Sequence, residues 1–152
     1  MTVAVLQSDG GARGNPGPAG AGFVLLDASG EVITSGGRYL GEATNNVAEY
    51  EALLWGLEVA AATGITDLTV QCDSELVVKQ LNGQYRVKHP GLKPLYVKAS
   101  GLLKRFPAVR VVHIRREHNS IADGLANDAM DCRGMVGDAP LPRDAGSQDS
   151  LF

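Results

Sequence analysis

The sequence lacks the features that would place the protein in or beyond a membrane. No apolar stretch approaches the roughly 20 residues that a membrane-spanning helix needs, and the first residues carry no basic leader. Only two cysteines, Cys72 and Cys132, occur in 152 residues, and their spacing matches no metal-binding motif. These absences predict a soluble, cytoplasmic protein with two reduced thiols and no membrane partner.

Acidic residues are missing from the middle of the chain. Between residues 76 and 116 there is no aspartate or glutamate, although this segment holds ten of the fourteen lysines and arginines. A basic surface of this kind suits a polyanionic partner such as a nucleic acid. The alternative is a set of ordinary solvated charges on a surface helix and its loops, but that alternative does not account for the missing acids.

Strand and helix signals along the 152-residue chain predict a single α/β domain. Two short apolar runs, Val3 to Leu6 and Gly20 to Leu26, flank a Gly/Pro-rich turn, and a third strand is predicted over residues 31–40. The full predicted order is βββαβααβα, a mixed sheet with helices packed on it. Residues 133–152 contain too few apolar side chains to fold alone, so the predicted domain covers residues 1–132 and a flexible tail follows.

Four acidic residues, Asp9, Glu49, Asp73 and Asp123, are far apart in the chain, yet each falls where a predicted strand or helix begins or ends. If the first and fourth strands are neighbours, Asp9 and Asp73 lie side by side. Clustered carboxylates repel one another unless cations hold them, and two divalent ions about 3.5 to 4 Å apart are the usual reason for such a cluster in nucleases. The pattern predicts a metal-dependent enzyme that cleaves phosphodiesters.

Each carboxylate also has a local structural alternative. Asp73 could cap the helix that follows it, Glu49 could complete a capping box with Asn46, Asp123 could be a favourable acid near a helix N-terminus, and Asp9 could be a turn residue. The joint occurrence of the four within longer strings argues against four separate local roles. Those strings run from Asp9 to Gly20, Thr44 to Ala52, Cys72 to Ser74, and Arg116 to Ala126.

The four strings resemble type 1 ribonuclease H in order and spacing, over about Thr2 to Asp131. The resemblance implies the ribonuclease H-like fold, an α/β architecture with a five-stranded mixed sheet whose strands 1 to 3 are antiparallel, flanked by helices on both faces. It also implies metal-dependent endonucleolytic cleavage of the RNA strand of an RNA/DNA hybrid, leaving 5′-phosphate and 3′-hydroxyl ends. The implied cofactor is Mg²⁺, two ions per site, with Mn²⁺ as a substitute.

The same resemblance assigns roles to individual residues. Asp9, Glu49, Asp73 and Asp123 would bind the metal ions, with Asp9 bridging both; one ion would activate the attacking water and the other would stabilise the leaving 3′ oxygen. His118 is a further catalytic candidate, for proton transfer or product release, although it lies only five residues before Asp123 and could equally be a surface residue. The expected nucleic-acid contacts are Gly10, Gly11, Arg13, Asn15, Thr44, Asn45, Ser74, Arg86, Lys88 and Lys93.

Two further absences refine this interpretation. The Gly-rich loop after Asp9 lacks the Gly-Lys-Ser/Thr ending of a phosphate-binding P-loop. The segment from Asn82 to Pro94 is too short for the basic projecting loop that many relatives insert there, so Arg86, Lys88 and Lys93 are expected to form a reduced substitute, with weaker and more salt-sensitive binding.

The last residues of the tail suggest a protein partner. Gln148, Leu151 and Phe152 resemble the short peptide with which bacterial replication and repair proteins bind the sliding clamp. We otherwise expect a monomer. Two alternatives to hybrid cleavage stay open: a nuclease of the same fold that acts on double-stranded RNA, and a non-catalytic hybrid-binding module.

Overall fold

A computed structural model describes residues 2–142 of the chain as a twisted mixed sheet with helices on both faces. The strand order is β5-β4-β1-β2-β3-β6. β1, β2 and β3 are antiparallel neighbours, β4 and β5 run parallel to β1, and β6 is antiparallel to β3. The strands are β1 (Val3–Ala12), β2 (Gly17–Asp27), β3 (Val32–Ala43), β4 (Asp67–Cys72), β5 (Ala108–His113) and β6 (Met135–Gly137).

Four α-helices connect these strands, and local signals define their ends. The Thr44 hydroxyl accepts a hydrogen bond from the Val47 backbone N–H, and Gly64 ends the same helix in the left-handed conformation. Ser74 caps the next helix in the same way, through the N–H of Val77. The helices are α1 (Asn45–Thr63), α2 (Glu75–Leu81), α3 (Lys93–Leu103) and α4 (Ser120–Cys132), with a short 3₁₀ turn at Arg116–His118 before α4.

Helices α1 and α4 cover opposite faces of the sheet. Phe23 packs its ring edge-on against Trp55 of α1, with centroids 4.8 Å apart, whereas the adjacent residue Gly22 lies against the backbone of α4. Adjacent residues of a strand point to opposite faces, so β2 is covered on both. The main hydrophobic core lies between α1 and the sheet and includes Leu6, Tyr50 and Leu57, all without solvent exposure.

The predicted element order βββαβααβα is confirmed, and the structure adds a sixth strand. β1 is longer than expected: it continues through Ala12, so Asp9 lies inside the strand and does not end it. The extension has a physical reason, because Asp9 to Ala12 pair with Ala19 to Gly22 of β2 although these residues are mostly glycine, alanine and polar. None of the helices within residues 2–142 is both long and apolar enough to cross a bilayer.

The predicted tail beginning at residue 133 is wrong for the residues directly after α4. β6 pairs with β3, the Asp138 carboxylate accepts a hydrogen bond from the Thr34 hydroxyl at 2.8 Å, and the Trp55 indole N–H donates to the Pro140 carbonyl at 2.7 Å. The domain therefore extends past residue 132, because specific polar pairs hold a segment that has few apolar residues. The predicted clamp-binding residues Gln148, Leu151 and Phe152 lie outside the described residues.

The close contact between β2 and α4 gives a stability prediction. A Cβ atom at Gly22 would overlap the Ala122 carbonyl oxygen and lie 2.7 Å from the Ala126 nitrogen. We expect Gly22→Ala to lower the free energy of unfolding by about 1–3 kcal/mol or more, because backbone atoms cannot move aside cheaply. Gly101→Ala is the matched control: this α3 glycine has nothing within 4 Å of its would-be Cβ, so alanine should stabilise the protein by about 0.5–1 kcal/mol. Equal urea midpoints for the two variants would contradict the proposed packing.

Candidate metal centre

Three of the four predicted carboxylates converge at one point of the sheet. Asp9, Glu49 and Asp73 each offer an oxygen atom, and these oxygens all lie within 4.8 Å of one another. Two of the three come from neighbouring strands. The parallel pairing of β1 with β4 ends at Ser8 and Cys72, so Asp9 and Asp73 follow the last paired position together. The expected adjacency of the first and fourth strands is confirmed.

Glu49 reaches the cluster because α1 approaches β1 very closely at Gly10. A side chain at Gly10 would overlap the backbone carbonyl of Ala48, and the Gly10 N–H donates a 2.7 Å hydrogen bond to Oε1 of Glu49. The Cys72 thiol donates a weaker 3.6 Å hydrogen bond to Oε2 of the same carboxylate. The N-cap of α1 is Thr44, and the Glu49 carboxylate bonds to Gly10 of β1 and Cys72 of β4. The proposed capping box between Asn46 and Glu49 is therefore not formed.

Asp73 has no local structural task that would explain its carboxylate. The helix cap that it could have supplied comes from Ser74 instead. Its Oδ2 atom is buried and has no hydrogen-bond partner within the described residues. A buried, unsatisfied carboxylate oxygen is costly, and a bound cation is the simplest way to satisfy it.

Asp123 lies beside this group but is not part of it. It is half-buried in the first turn of α4, as predicted, and it is outside the compact group of three. It lies near Asp9, since Asp123 is among the neighbours that raise the pKa of Asp9. Asp9 therefore lies close to all three of the other carboxylates.

Burial and mutual repulsion alter the protonation of the two most buried acids. Burial raises the pKa of Asp9 well above its usual range, and the charges of Glu49 and Asp73 raise it further. Burial also raises the pKa of Glu49. Hydrogen bonds from Asp9 and from the Gly10 N–H partly offset this by lowering the pKa. Burial thus favours the neutral forms of these two acids, a bound dication would favour their charged forms, and their hard oxygen donors are those that Mg²⁺ and Mn²⁺ prefer. The residues present fit divalent ions.

His118 is not among the clustered groups. It ends the 3₁₀ turn before α4 and is exposed, and its backbone carbonyl lies 3.5 Å from the Gln7 side-chain amide. Within the described residues no contact joins its imidazole to the carboxylates. Its assignment as a catalytic residue stays a prediction.

The Gly-rich loop and the start of α1 hold one another in place. The Asn45 side-chain oxygen accepts a hydrogen bond from the Ala12 N–H at 2.8 Å, and the Asn15 side-chain oxygen accepts one from the Asn45 N–H at 3.1 Å. Arg13, in the same loop, forms an ion pair with Asp131 of α4 at 2.7 Å. Three predicted nucleic-acid contacts, Arg13, Asn15 and Asn45, thus also shape the rim of the site. Gly11 has open space beside it, with only the Asn45 side-chain oxygen at 3.8 Å from a would-be Cβ.

The predicted basic substitute for the projecting loop forms one surface near α3. Arg86 and Lys93 line a cavity of about 470 Å³ together with two aromatic residues, Tyr85 and Tyr96, and Lys88 is exposed nearby in sequence. Charged side chains beside aromatic rings can contact both phosphates and bases. The surface lies on the α2–α3 connection, away from the carboxylates in sequence.

Two buried residues of the site were missed by the sequence predictions. Cys72 was interpreted as a reduced thiol without a role of its own, yet this buried thiol contacts Glu49. Asn119 was not singled out in the sequence, although its side chain is fully buried and bonded to the Ser8 carbonyl. Its position four residues before Asp123, on the same helical face, was the available signal.

Comparisons with known proteins agree with this geometry. The family model described as "Reverse transcriptase-like" matches residues 7–129. The "Bifunctional protein Rv2228c" of Mycobacterium tuberculosis is 48% identical over 128 residues, which are 84% of this chain and 35% of that protein. Ribonuclease HI of Halobacterium salinarum is 46% identical over 123 residues, 81% of this chain and 62% of that protein. The chain thus spans about a third of the mycobacterial relative and less than two thirds of the archaeal one.

Two solved ribonuclease H structures resemble the domain over nearly their full length. The N-terminal RNase H domain of Rv2228c superposes with a TM-score of 0.85 at 46% identity, covering 88% of this chain and 96% of that one. LC11-RNase H1, solved in complex with an RNA/DNA hybrid, gives 0.81 at 45% identity, covering 85% and 97%. The foamy virus protease-reverse transcriptase, at 22% identity and a TM-score of 0.70, shares the fold. This chain belongs to the type 1 ribonuclease H family.

Proposed function

We propose that the protein is a metal-dependent endoribonuclease that cleaves the RNA strand of RNA/DNA hybrids and leaves 5′-phosphate and 3′-hydroxyl ends. The observation that carries this proposal is the convergence of Asp9, Glu49 and Asp73 within 4.8 Å, with Asp123 against Asp9. Helix capping does not explain Glu49 and Asp73, because Thr44 and Ser74 provide the helix caps. Family membership and a relative solved with a hybrid support the same substrate.

The carboxylates would hold two Mg²⁺ ions, with Mn²⁺ as a substitute. Asp9, Glu49 and Asp73 would form one site, and Asp9 with Asp123 would form the other. Such ions supply an activated water and stabilise the charge of the leaving 3′ oxygen. The protein's own contribution is rigid placement: the Gly10 N–H fixes Glu49, and the strand pairing fixes Asp9 beside Asp73.

Recognition of the hybrid would use small polar groups at the rim and basic residues farther away. Asn15, Thr44 and Asn45 are proposed to face the wide minor groove, where 2′-hydroxyls distinguish RNA from DNA. Gly10 is buried under α1, so its contribution is to bring Glu49 close. Arg86, Lys88 and Lys93 are proposed to contact backbone phosphates without base specificity.

Three other expectations belong to the proposal. The free, reduced state of Cys72 and Cys132 suits the cytoplasm. A monomer would be sufficient, because all four carboxylates come from one chain. Residues Gln148, Leu151 and Phe152 are proposed to bind a sliding clamp and so to raise the local concentration of enzyme near newly made hybrids.

A cleavage assay tests the catalytic proposal. We expect Asp9→Asn to lower the rate of hybrid cleavage in Mg²⁺ by more than about 100-fold, because Asp9 would contact both ions. Asp128→Asn is the control, since Asp128 is an exposed acid on α4 and its loss should leave the rate unchanged. Labelled RNA/DNA hybrid, RNA duplex and DNA duplex are compared. Cleavage of the RNA duplex at the rate of the hybrid would reassign the substrate, and full activity of Asp9→Asn would refute the site.

The raised pKa values of Asp9 and Glu49 predict that, without bound metal, the stability of the fold decreases as pH rises. A carboxylate whose pKa is higher in the folded than in the unfolded state stabilises the fold at low pH, and this stabilisation declines as pH rises from the unfolded pKa to the folded pKa, which is about 10 for Asp9 and about 7 for Glu49. In EDTA, the melting temperature of the wild type should therefore fall relative to Asp9→Asn between pH 5 and pH 8, by about 4 °C or more. Saturating Mg²⁺ should reverse the difference. A constant difference across this pH range would show that like-charge repulsion is not stored at the site.

The tail proposal is tested by deleting residues 148–152. We expect the shortened protein to lose binding to a bacterial sliding clamp in a pull-down and to retain the hybrid cleavage rate of the full chain, because Asp9, Glu49, Asp73 and Asp123 all lie outside the deleted segment. Leu151→Ala/Phe152→Ala in the full chain should behave like the deletion. Unchanged clamp binding by both variants would refute the tether.

A further inference from the structure

Asn119 is the most deeply buried polar side chain of the site. Its exposed fraction is 0%, compared with 7% for Asp9 and 6% for Glu49. Its side-chain N–H₂ donates a 2.9 Å hydrogen bond to the backbone carbonyl of Ser8, and its side-chain oxygen is buried without a partner in residues 2–142. Although Asn119 stands at the N-cap position of α4, its side chain makes no capping hydrogen bond. Helix capping therefore does not explain why this buried amide is present.

The contacts of Asn119 lead to two metal-binding carboxylates. Ser8, whose carbonyl it binds, directly precedes Asp9 and is the last residue of β1 that pairs with β4. The Asn119 backbone carbonyl in turn accepts the hydrogen bond of the Asp123 N–H at 3.1 Å. One residue thus joins the backbone beside Asp9 to the backbone of Asp123, through one hydrogen bond on each side.

Few other polar contacts could fix this spacing. The Gln7 side-chain amide reaches the His118 carbonyl at 3.5 Å, which is long for a hydrogen bond. The close packing of Gly22 against Ala122 sets the height of α4 above β2, but β2 carries none of the four carboxylates. Among residues 2–142, the 2.9 Å hydrogen bond from Asn119 to the Ser8 carbonyl joins the start of α4 directly to β1.

We propose that Asn119 is a positioning residue that sets the separation of Asp9 and Asp123, and so the affinity of the ion held between them. The inference rests on the proposed two-ion function and adds a determinant of the second ion. Removing the amide should let the first turn of α4 shift relative to β1, while the group formed by Asp9, Glu49 and Asp73 stays together, since Glu49 is held by the Gly10 N–H and the Cys72 thiol, which belong to β1 and β4. Loss of a residue that orients metal ligands lowers metal affinity about 10- to 100-fold.

Calorimetric Mn²⁺ binding and Mg²⁺-dependent cleavage provide two separate measurements. We expect Asn119→Ala to weaken Mn²⁺ binding at the Asp123-dependent site about tenfold and to raise the Mg²⁺ concentration for half-maximal cleavage by a similar factor. The KM for the hybrid should stay within about twofold, because Asn119 is buried away from the substrate, and kcat should recover in excess Mg²⁺. Asn119→Ser, which is smaller and suits a helix start, serves if the alanine variant folds poorly.

Asn82→Ala is the matched control. Asn82 also stands at a helix end and donates its side-chain amide to a strand carbonyl, that of Val111 at 3.0 Å, but it has no carboxylate partner. Its loss should change the melting temperature without changing Mn²⁺ binding. If Asn119→Ala and Asn82→Ala affect melting alike and neither alters metal binding, the positioning role is refuted.

A double-mutant cycle identifies the route of the effect. If Asn119 acts through Asp123, adding Asn119→Ala to Asp123→Asn should weaken Mn²⁺ binding by less than about twofold beyond Asp123→Asn alone. Additive losses would overturn the proposal. If the wild type cleaves no hybrid in saturating Mg²⁺, the proposed function fails, while the Mn²⁺ cycle still decides whether Asn119 positions Asp123.

Discussion

Repulsion among buried carboxylates is the constraint on which the rest of the domain depends. Asp9, Glu49 and Asp73 lie within 4.8 Å of one another, and their charges and burial oppose folding when no cation is bound. The opposing stabilisation comes from elements that cannot separate: β1 paired to β4, α1 pressed onto Gly10, and the apolar core around Trp55 and Tyr50. Holding these charges together therefore lowers the stability of the scaffold, as is common at functional sites.

Much of the fold was predictable because it depends on local patterns. Helical spacing from Val47 and the caps at Thr44 and Ser74 define α1 and α2, and the apolar runs locate the buried strands. The end of β1 was not predictable in this way, since its last four residues stay in the sheet through pairing with β2 and not through their own preference. β6 was not predictable for the same reason. It has only three residues and forms because it pairs with β3.

The residues of the site likewise fall into those that local sequence patterns identify and those that only long-range contacts reveal. The four carboxylates were identifiable because they stand inside distinctive strings, and strand adjacency follows from the topology that those strings imply. Asn119 and Cys72 were not identifiable, because their importance lies in contacts with Ser8 and Glu49, 111 and 23 residues away. His118 shows the opposite case: its residue type suggested chemistry, but the structure leaves its ring exposed and apart from the cluster.

The segment after α4 has a consequence for how copies of this protein meet. β6 covers the backbone of β3 at Gly36 to Arg38, and the hydrogen bond from Trp55 to Pro140 holds the following residues against α1. Without this cover, the N–H and C=O groups of β3 would offer a template on which a strand from another molecule could add. A protein cut after Cys132 would keep all four carboxylates and yet be prone to intermolecular strand pairing, so these few residues protect solubility without taking part in chemistry.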